Sequence, residues 1–424
     1  MLDIKFIREN PELIRKILET RNYNFDLDGF IKLDKKRRDF ISKIDALRAE
    51  QNKINDRISQ LIKNKSDATK QIEEGKILAK ELETLEEEFK NIEREFNLKL
   101  LHIPNIPDSS VPIGDSSFNK IVKTWGNLRK FDFKPLTHIE LAEHLDIIDF
   151  TKVSKIAGSN FILYKGDGAK LERALINFML DLHTKEHGYI EVFPPFLVNR
   201  MSMTTTGQLP KLEDDMYKIP TDDMFLIPTA EVPVTNIHSN EILAEENLPI
   251  YYVSYTACFR REAGSYGKET KGLIRVHQFD KVELVKFVRP QTSYQELEKL
   301  LTDACEVIEL LEIPYRVVLL ATGDLSFAAS KCYDIEIYAP GIDRWLEVSS
   351  CSNFEDFQAR RGNIKYREAK TGKLKYVHTL NGSGVALARL VIALLENYQN
   401  KDGSITIPQM LQKYMDGQKK IDKK

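Results

Sequence analysis

The sequence predicts an α+β protein in two parts: a long N-terminal antiparallel two-helix coiled-coil arm, then a larger body on an antiparallel β-sheet flanked by helices. Three observations predict it. No proline occurs between Pro11 and Pro104, and from Phe30 to Ile103 the only glycine is Gly75, so almost nothing in that stretch breaks a helix. Apolar residues there recur at alternating steps of three and four, the seam of a coiled coil. Past Gly114 the texture turns to β-rich segments with few βαβ alternations, which favours an antiparallel sheet over a doubly wound one.

The first arm helix is expected over about 30–64. Its seam reads Phe30, Leu33, Phe40, Ile44, Leu47, Ile54, Ile58 and Leu61, with Arg37 and Gln51 filling two positions. The second, over about 68–101, carries Leu78, Leu82, Leu85, Phe89, Ile92 and Phe96. The polar run Lys63–Asp67 is the turn between them. Gly75 is the weak point of the second helix. Charge is split: residues 32–65 hold 11 Lys/Arg against 5 Asp/Glu, and residues 66–100 hold 6 against 10. Inter-helix ion pairing accounts for much of such a split, and a basic edge for a phosphate backbone is the competing explanation. Ile103–Gly114 reads as a Pro/Ser/Gly linker, so the domains are expected at 1–103 and 104–424. Beyond it, helices are expected over 169–187, 292–311 and 384–398. Strands are expected at Tyr189–Val192, Ile250–Ala257, Val276–Val288, Tyr315–Leu320, Tyr333–Tyr338 and Trp345–Ser350.

Composition narrows the function classes. The 424 residues carry 62 Lys+Arg against 64 Asp+Glu, which excludes a bulk polycation but not a local nucleic-acid patch. No apolar run reaches the length of a membrane span. Met1–Glu9 is charged throughout and lacks a secretory h-region, and Cys258, Cys305, Cys332 and Cys351 form no C-x-x-C, so a cytoplasmic protein with reduced thiols is expected. Neither a G-x-x-x-x-G-K-[ST] loop nor a G-x-G-x-x-G turn is present, so any nucleotide must be held by side chains.

Three stretches carry charge where a core should be: Phe259–Gly267 continuing through Leu273–Glu283, Trp345–Ser350, and Thr379–Arg389 with a glycine turn before an apolar helix. A buried charge costs several kcal/mol unless paired, on the order set by desolvation, so such positions imply partners in the protein or in a ligand.

Those residues carry a resemblance. Phe259-Arg260-x-Glu262 is similar to the second signature of class II aminoacyl-tRNA synthetases, Gly382-Ser383-Gly384-x-Ala386-x-x-Arg389 to the third, and Gly188-Tyr189-x-x-Val192 with Pro195 to the first, a dimer-interface strand. Pro228–Pro233, Phe259–Gly267 and Gly272–Glu283 together resemble the bacterial-type seryl-tRNA synthetase family, whose arm the N-terminal hairpin also resembles, over essentially the whole chain. The resemblance implies serine activation by ATP and transfer to tRNA(Ser), and also to tRNA(Sec) where one exists, by a cytoplasmic homodimer. It implies that Arg260, Glu262 and Arg389 are catalytic. Thr229, Ala230, Glu231, Arg260, Glu283, Asn381 and Ser383 would bind serine. Arg260, Arg261, Glu262, Arg275, Val276, Phe279, Glu347, Val348, Ser349, Ser350 and Arg389 would bind ATP, with Phe279 and Arg389 on the two faces of adenine. Glu347 and Ser350 would hold Mg²⁺, and no catalytic zinc is expected. His277, His378 and Cys258 are expected to be packed or locally hydrogen-bonded and not to act as a base or nucleophile. Arg261, Glu269 and Asn160 depart from the residues common in that family. Two other functions fit parts of the sequence, a synthetase-like ligase charging a carrier protein and a non-catalytic coiled-coil RNA-binding module; the arm argues against the first and the intact charged set against the second.

Overall fold

The computed structural model describes residues 1–263 and 271–423. It divides into two compact units, Met1–Glu19 with Tyr23–Pro104, and Thr20–Asn22 with Asn105–Lys424.

In the first unit, two short helices, Ile4–Glu9 and Pro11–Thr20, precede the arm helices Leu27–Lys63 and Thr69–Leu100. The Asp26 carboxylate accepts from Gly29 N at 2.9 Å and caps the first arm helix. Asp67 accepts from Thr69 N at 2.9 Å at the head of the second, and Lys65, at φ +52°, turns the chain between them. At 1.5 Å per residue the 37-residue helix is about 55 Å long. The seam closes as its spacing requires: Phe30, Leu33, Ile44 and Ile54 are buried on one helix, and Leu78, Leu82, Ile92 and Phe96 on the other. Phe30 stacks on Phe96 with centroids 5.2 Å apart. Arg37 occupies a seam position because its guanidinium lies 4.8 Å over the Phe96 ring and its Nη2 reaches Glu93 at 2.9 Å. Arg48 pairs with Glu86 at 2.7 Å. These are the two inter-helix ion pairs of the arm among the described residues. Lys32, Lys35, Lys36, Lys43, Lys53, Arg57, Lys63 and Lys65 make none, so ion pairing explains only a small part of the charge split.

The second unit is built on one eight-stranded sheet. Its strands are β1 (Lys120–Trp125), β2 (Ile190–Glu191), β3 (Ile250–Phe259), β4 (Gln278–Val288), β5 (Tyr315–Leu319), β6 (Lys331–Ala339), β7 (Arg344–Asn353) and β8 (His378–Ala386). Their order is β1-β5-β6-β7-β8-β4-β3-β2, antiparallel throughout except for the edge pair β3–β2. Helices Asp167–Lys185, Ser293–Leu310 and Leu387–Asn397 pack into the main core with it. Ser293–Leu310 buries Leu297, Leu300, Leu301, Ala304 and Ile308, the one-sided pattern of a helix laid on a sheet. All four cysteines are free and buried. Among the described residues no helix is long and apolar enough to cross a membrane.

Three expectations need correction. Gly382 and Gly384 lie in extended β8 and form no turn, and the following helix starts at Leu387, three residues later than its periodicity suggests. These glycines answer to packing: a Cβ on Gly382 would sit 2.3 Å from Leu300 Cδ2 and 2.9 Å from Cys351 Sγ, and one on Gly384 would sit 2.9 Å from His183 Nε2. The segment Tyr189–Val192 yields only the two-residue strand Ile190–Glu191. The linker, finally, is fastened down from Asn105 onward. Asn105 Nδ2 donates to Ala328 O at 2.9 Å and Phe354 O at 2.8 Å, and Asp108 N donates to Ser330 O at 2.9 Å.

Gly75 faces the seam, where an added Cβ would meet Ile54 Cγ2 at 3.4 Å, an ordinary contact. Gly75→Ala should therefore stabilise the arm by about 0.5–1 kcal/mol, read as a few-fold slowing of amide exchange in its second helix. Gly382→Ala should do the opposite, destabilising the body by about 1–3 kcal/mol in thermal or urea unfolding, because Leu300 and Cys351 leave no room.

Candidate active site

The strands β3 and β4 pair as an antiparallel hairpin joined by a long connection, 260–277, of which 260–263 and 271–277 are described. Its neck is tied at several points. Arg260 N donates to His277 O at 2.9 Å, His277 Nδ1 donates to Arg260 O at 3.0 Å, and His277 N donates to Asn160 O at 2.8 Å. Asn160, at φ +61°, turns its carbonyl to this task, and Phe161 packs on the His277 ring at 5.3 Å. Asp215 holds the other side, its carboxylate accepting from Ala263 N at 3.0 Å and its carbonyl from Arg261 N at 2.9 Å. The Gly264–Gly267 part of the second signature, and Glu269, lie outside the described residues.

Beside this hairpin is a cleft of about 790 Å³. Antiparallel register decides what reaches it. Residues two apart on a strand share a face, so Phe279, Lys281 and Glu283 on β4 and Asn381 and Ser383 on β8 all line the cleft, with Glu283 directly opposite Ser383. Glu347 and Ser350 are three apart on β7 and would point to opposite faces of a regular strand. A one-residue slip in the β6–β7 register at Val348 lets both line the cleft. Arg389 enters on the first turn of the helix that follows β8.

One end of the cleft is cationic. Arg389 donates through Nε to Ile274 O at 3.3 Å and through Nη1 to Glu347 O at 2.6 Å, and Nη1 lies 3.6 Å from the Glu347 carboxylate. Arg260 donates to Pro228 O at 3.3 Å, with its guanidinium 5.2 Å from the Phe279 centroid. Arg275 pairs with Glu262 at 2.8 Å, and Glu262 holds a left-handed φ of +50°. Val276, Val348 and Ser349 complete this part of the lining, and the Ser349 hydroxyl donates to Ser383 O at 2.6 Å.

The other end is a buried polar network. Lys281 Nζ lies 2.7 Å from Glu283 Oε2 and donates to Thr229 Oγ1 at 3.0 Å, while Asn381 Nδ2 donates to Glu283 Oε1 at 3.1 Å. Glu231 accepts from Gln358 Nε2 at 2.6 Å. Burial, aided by the nearby Glu283 charge, pushes the Glu231 carboxyl up to about 7, against the opposing pull of Gln358, Lys281 and Gln208. Glu231 is therefore poised to gain from a cation brought into the cleft.

Of the residues singled out from sequence, all line this cleft except two. Ala230 is fully buried beside it at the head of the Glu231–Asn236 helix, and the Arg261 side chain is exposed away from it. His378 donates to or accepts from Ser293 Oγ at 2.9 Å, with burial holding it down to about 4, and Cys258 is packed in β3. Sequence reasoning missed Lys281, Gln208 and Gln358. Lys281 was within reach, because it stands two residues from Glu283 on one strand face. Gln358 belongs to a six-residue helix far along the chain and carries no local signal. Among the described residues no group of three His, Cys, Asp or Glu side chains gathers as a metal cluster. Glu347 and Ser350 offer two hard oxygen donors, a donor set that would suit Mg²⁺.

Comparison with known proteins agrees over the full length. Residues 1–107 match the family model for the seryl-tRNA synthetase N-terminal domain, and residues 213–398 match that for the class II tRNA synthetase core domain (G, H, P, S and T). The serine–tRNA ligase of Thermodesulfovibrio yellowstonii is 55% identical over 98% of this chain and 99% of its own, and that of Geotalea uraniireducens 54% over 99% and 100%. Two solved structures superpose over the whole chain. Seryl-tRNA synthetase from Pyrococcus horikoshii complexed with ATP has a TM-score of 0.91 at 38% identity and full coverage of both chains. The cytoplasmic serine–tRNA ligase of Naegleria fowleri in complex with AMP has 0.87 at 30%, covering 100% of this chain and 99% of its own. With both family models matched and relatives up to 55% identical over nearly the full length, the chain belongs to the seryl-tRNA synthetase family.

Proposed function

We infer that this chain is a serine–tRNA ligase, activating serine with ATP and passing the seryl group to tRNA(Ser). The observation that carries the reading is the division of one cleft into a cationic end, with Arg260, Arg275 and Arg389, and a buried polar end, with Glu231, Glu283 and Ser383. A serine carboxylate oxygen attacks the α-phosphorus of ATP, the bond to pyrophosphate breaks, and seryl-adenylate forms. A ribose hydroxyl of the tRNA then attacks the adenylate carbonyl, and AMP leaves.

Both reactants of the first step are anionic, so positioning and charge neutralisation dominate over general-base chemistry. Arg260 faces the α-phosphate and the serine carboxylate, and Arg389 the terminal phosphate; guanidinium groups bind such oxygens in pairs. Phe279 offers a face to adenine and Glu262 an acceptor for its amino group, with Val276, Val348 and Ser349 lining the nucleotide. Arg261, on the exposed side of the neck, is a candidate contact to the nucleotide only from outside the cleft wall. Glu347 and Ser350 would hold Mg²⁺, whose charge would offset that of the phosphates. At the polar end Glu231 and Thr229 take the serine ammonium, Ala230 shapes the backbone between them, and Glu283, Asn381 and Ser383 read the hydroxyl.

The arm is the tRNA-binding element in this reading. The eight cations of residues 32–65 that form no ion pair among the described residues support it, because a phosphate backbone supplies the missing charge. We also propose a cytoplasmic homodimer; the dimer is supported by the exposure of Ile190 (60%) and Phe193 (74%) in the segment of the first signature. tRNA(Sec) would share the arm-dependent mode of binding.

Serine-dependent ATP–pyrophosphate exchange followed by charging of purified tRNA(Ser) tests the reading, and absence of exchange with serine would sink it. Arg389→Ala should lower kcat/KM for exchange by roughly 100-fold or more, the scale for removing a charge-stabilising donor; near-normal exchange would contradict its role. Removal of residues 30–101 should spare exchange and greatly weaken charging, and charging by the intact chain should fall steeply with salt.

A further inference from the structure

The Glu231 carboxylate does not stand alone. Gln358 Nε2 donates to Glu231 Oε1 at 2.6 Å and to Thr206 O at 3.2 Å, which uses both of its amide hydrogens. Its Oε1 accepts from the Thr379 hydroxyl at 2.7 Å. The orientation of the amide is thereby fixed, since the flipped form would set an oxygen against both a carboxylate and a carbonyl. Gln358 is fully buried and does not line the cleft, so it has no direct route to a ligand. Its three bonds join three separate elements: the helix Arg200–Thr206, the strand β8, and the helix Glu231–Asn236.

We propose that Gln358, oriented by Thr379, is a positioning residue that holds Glu231 ionised and aimed into the cleft for the ammonium group of the amino-acid substrate. The proposal rests on the reading of Glu231 given above. The other groups facing Glu231 are Lys281 and Glu283 from β4 and Gln208 from the loop after Thr206. Lys281 is engaged by Glu283 and Thr229, and of the groups that favour the Glu231 charge, Gln358 outweighs both Lys281 and Gln208. Glu231 sits near 7 with this bond in place, and the bond favours the ionised form. Without it, the carboxyl moves higher and is largely neutral at pH 7. The loss is therefore greatest at neutral and acid pH and shrinks as pH rises and Glu231 ionises anyway.

The test is serine-dependent ATP–pyrophosphate exchange by the full chain from pH 6 to 8.5. Gln358→Leu should raise the KM for serine about 10-fold or more at pH 7, the scale of a hydrogen bond to a charged group. The deficit should narrow toward pH 8.5, and the KM for ATP should stay within about twofold. Thr379→Val should show a smaller change of the same sign and pH dependence, and Thr379→Ser should reverse it, so a Gln358 variant that fails to fold leaves the question decidable. A serine KM unaffected by Gln358→Leu and by Thr379→Val, or raised equally at all pH values together with the KM for ATP, would overturn the proposal. Glu231→Gln is run in parallel. If it too leaves the serine KM unchanged, the fault lies in the reading of Glu231; if it alone raises the KM, the fault lies in the role of Gln358.

Discussion

Everything in the body is arranged around one constraint: a charge taken out of water must be given a partner. Lys281 and Glu283 meet it within the chain, 2.7 Å apart at 7% and 1% side-chain exposure, with Thr229 accepting a hydrogen bond from Lys281 and Asn381 donating one to Glu283. Their place is dictated by the β4–β8 register, which sets Glu283 opposite Ser383. A one-residue slip would turn both carboxylate and lysine into the apolar core on the other face. The same sheet that is stabilised by Leu284, Val282 and Leu380 on its core side therefore presents a pre-ordered polar surface on the other.

Arg260 and Arg389 meet the constraint differently. Their links to the protein are mainly to carbonyl oxygens of Pro228, Ile274 and Glu347, which orient a guanidinium without cancelling its charge. In the proposed reading a bound anion would complete them, so phosphate binding would draw on the incomplete charge compensation of the free protein, while the polar end is already largely paired within the chain. Discrimination belongs to the second kind of site. A network built to accept a hydroxyl leaves buried groups unpaired when the hydroxyl is missing.

Much of this was legible in the sequence, for physical reasons that differ by element. The arm helices emerged within a few residues of their ends, because a seam that repeats over many turns is a redundant signal, and even Arg37 obeys it by lying on Phe96. The strands β3 to β7 lie where the sequence predicts strands, within about three residues at their ends. The glycines of β8 misled: from sequence they resemble a turn, yet their role is to let Leu300 and His183 approach the strand, a requirement set by residues some 80 and 200 positions away in the chain. The pairing of Glu347 with Ser350 depends on a bulge that no local pattern announces. Gln358 was invisible for the same reason, since its meaning lies in three contacts from three distant elements.

In the proposed reading a preformed polar network, and not the size of a pocket, selects the amino acid. The most direct measurement is the ratio of kcat/KM for serine over alanine in ATP–pyrophosphate exchange by the intact chain. A network that reads the hydroxyl predicts a ratio on the order of 10⁴ or higher, whereas a ratio of roughly 10–200, the range open to a merely fitted pocket, would contradict the account.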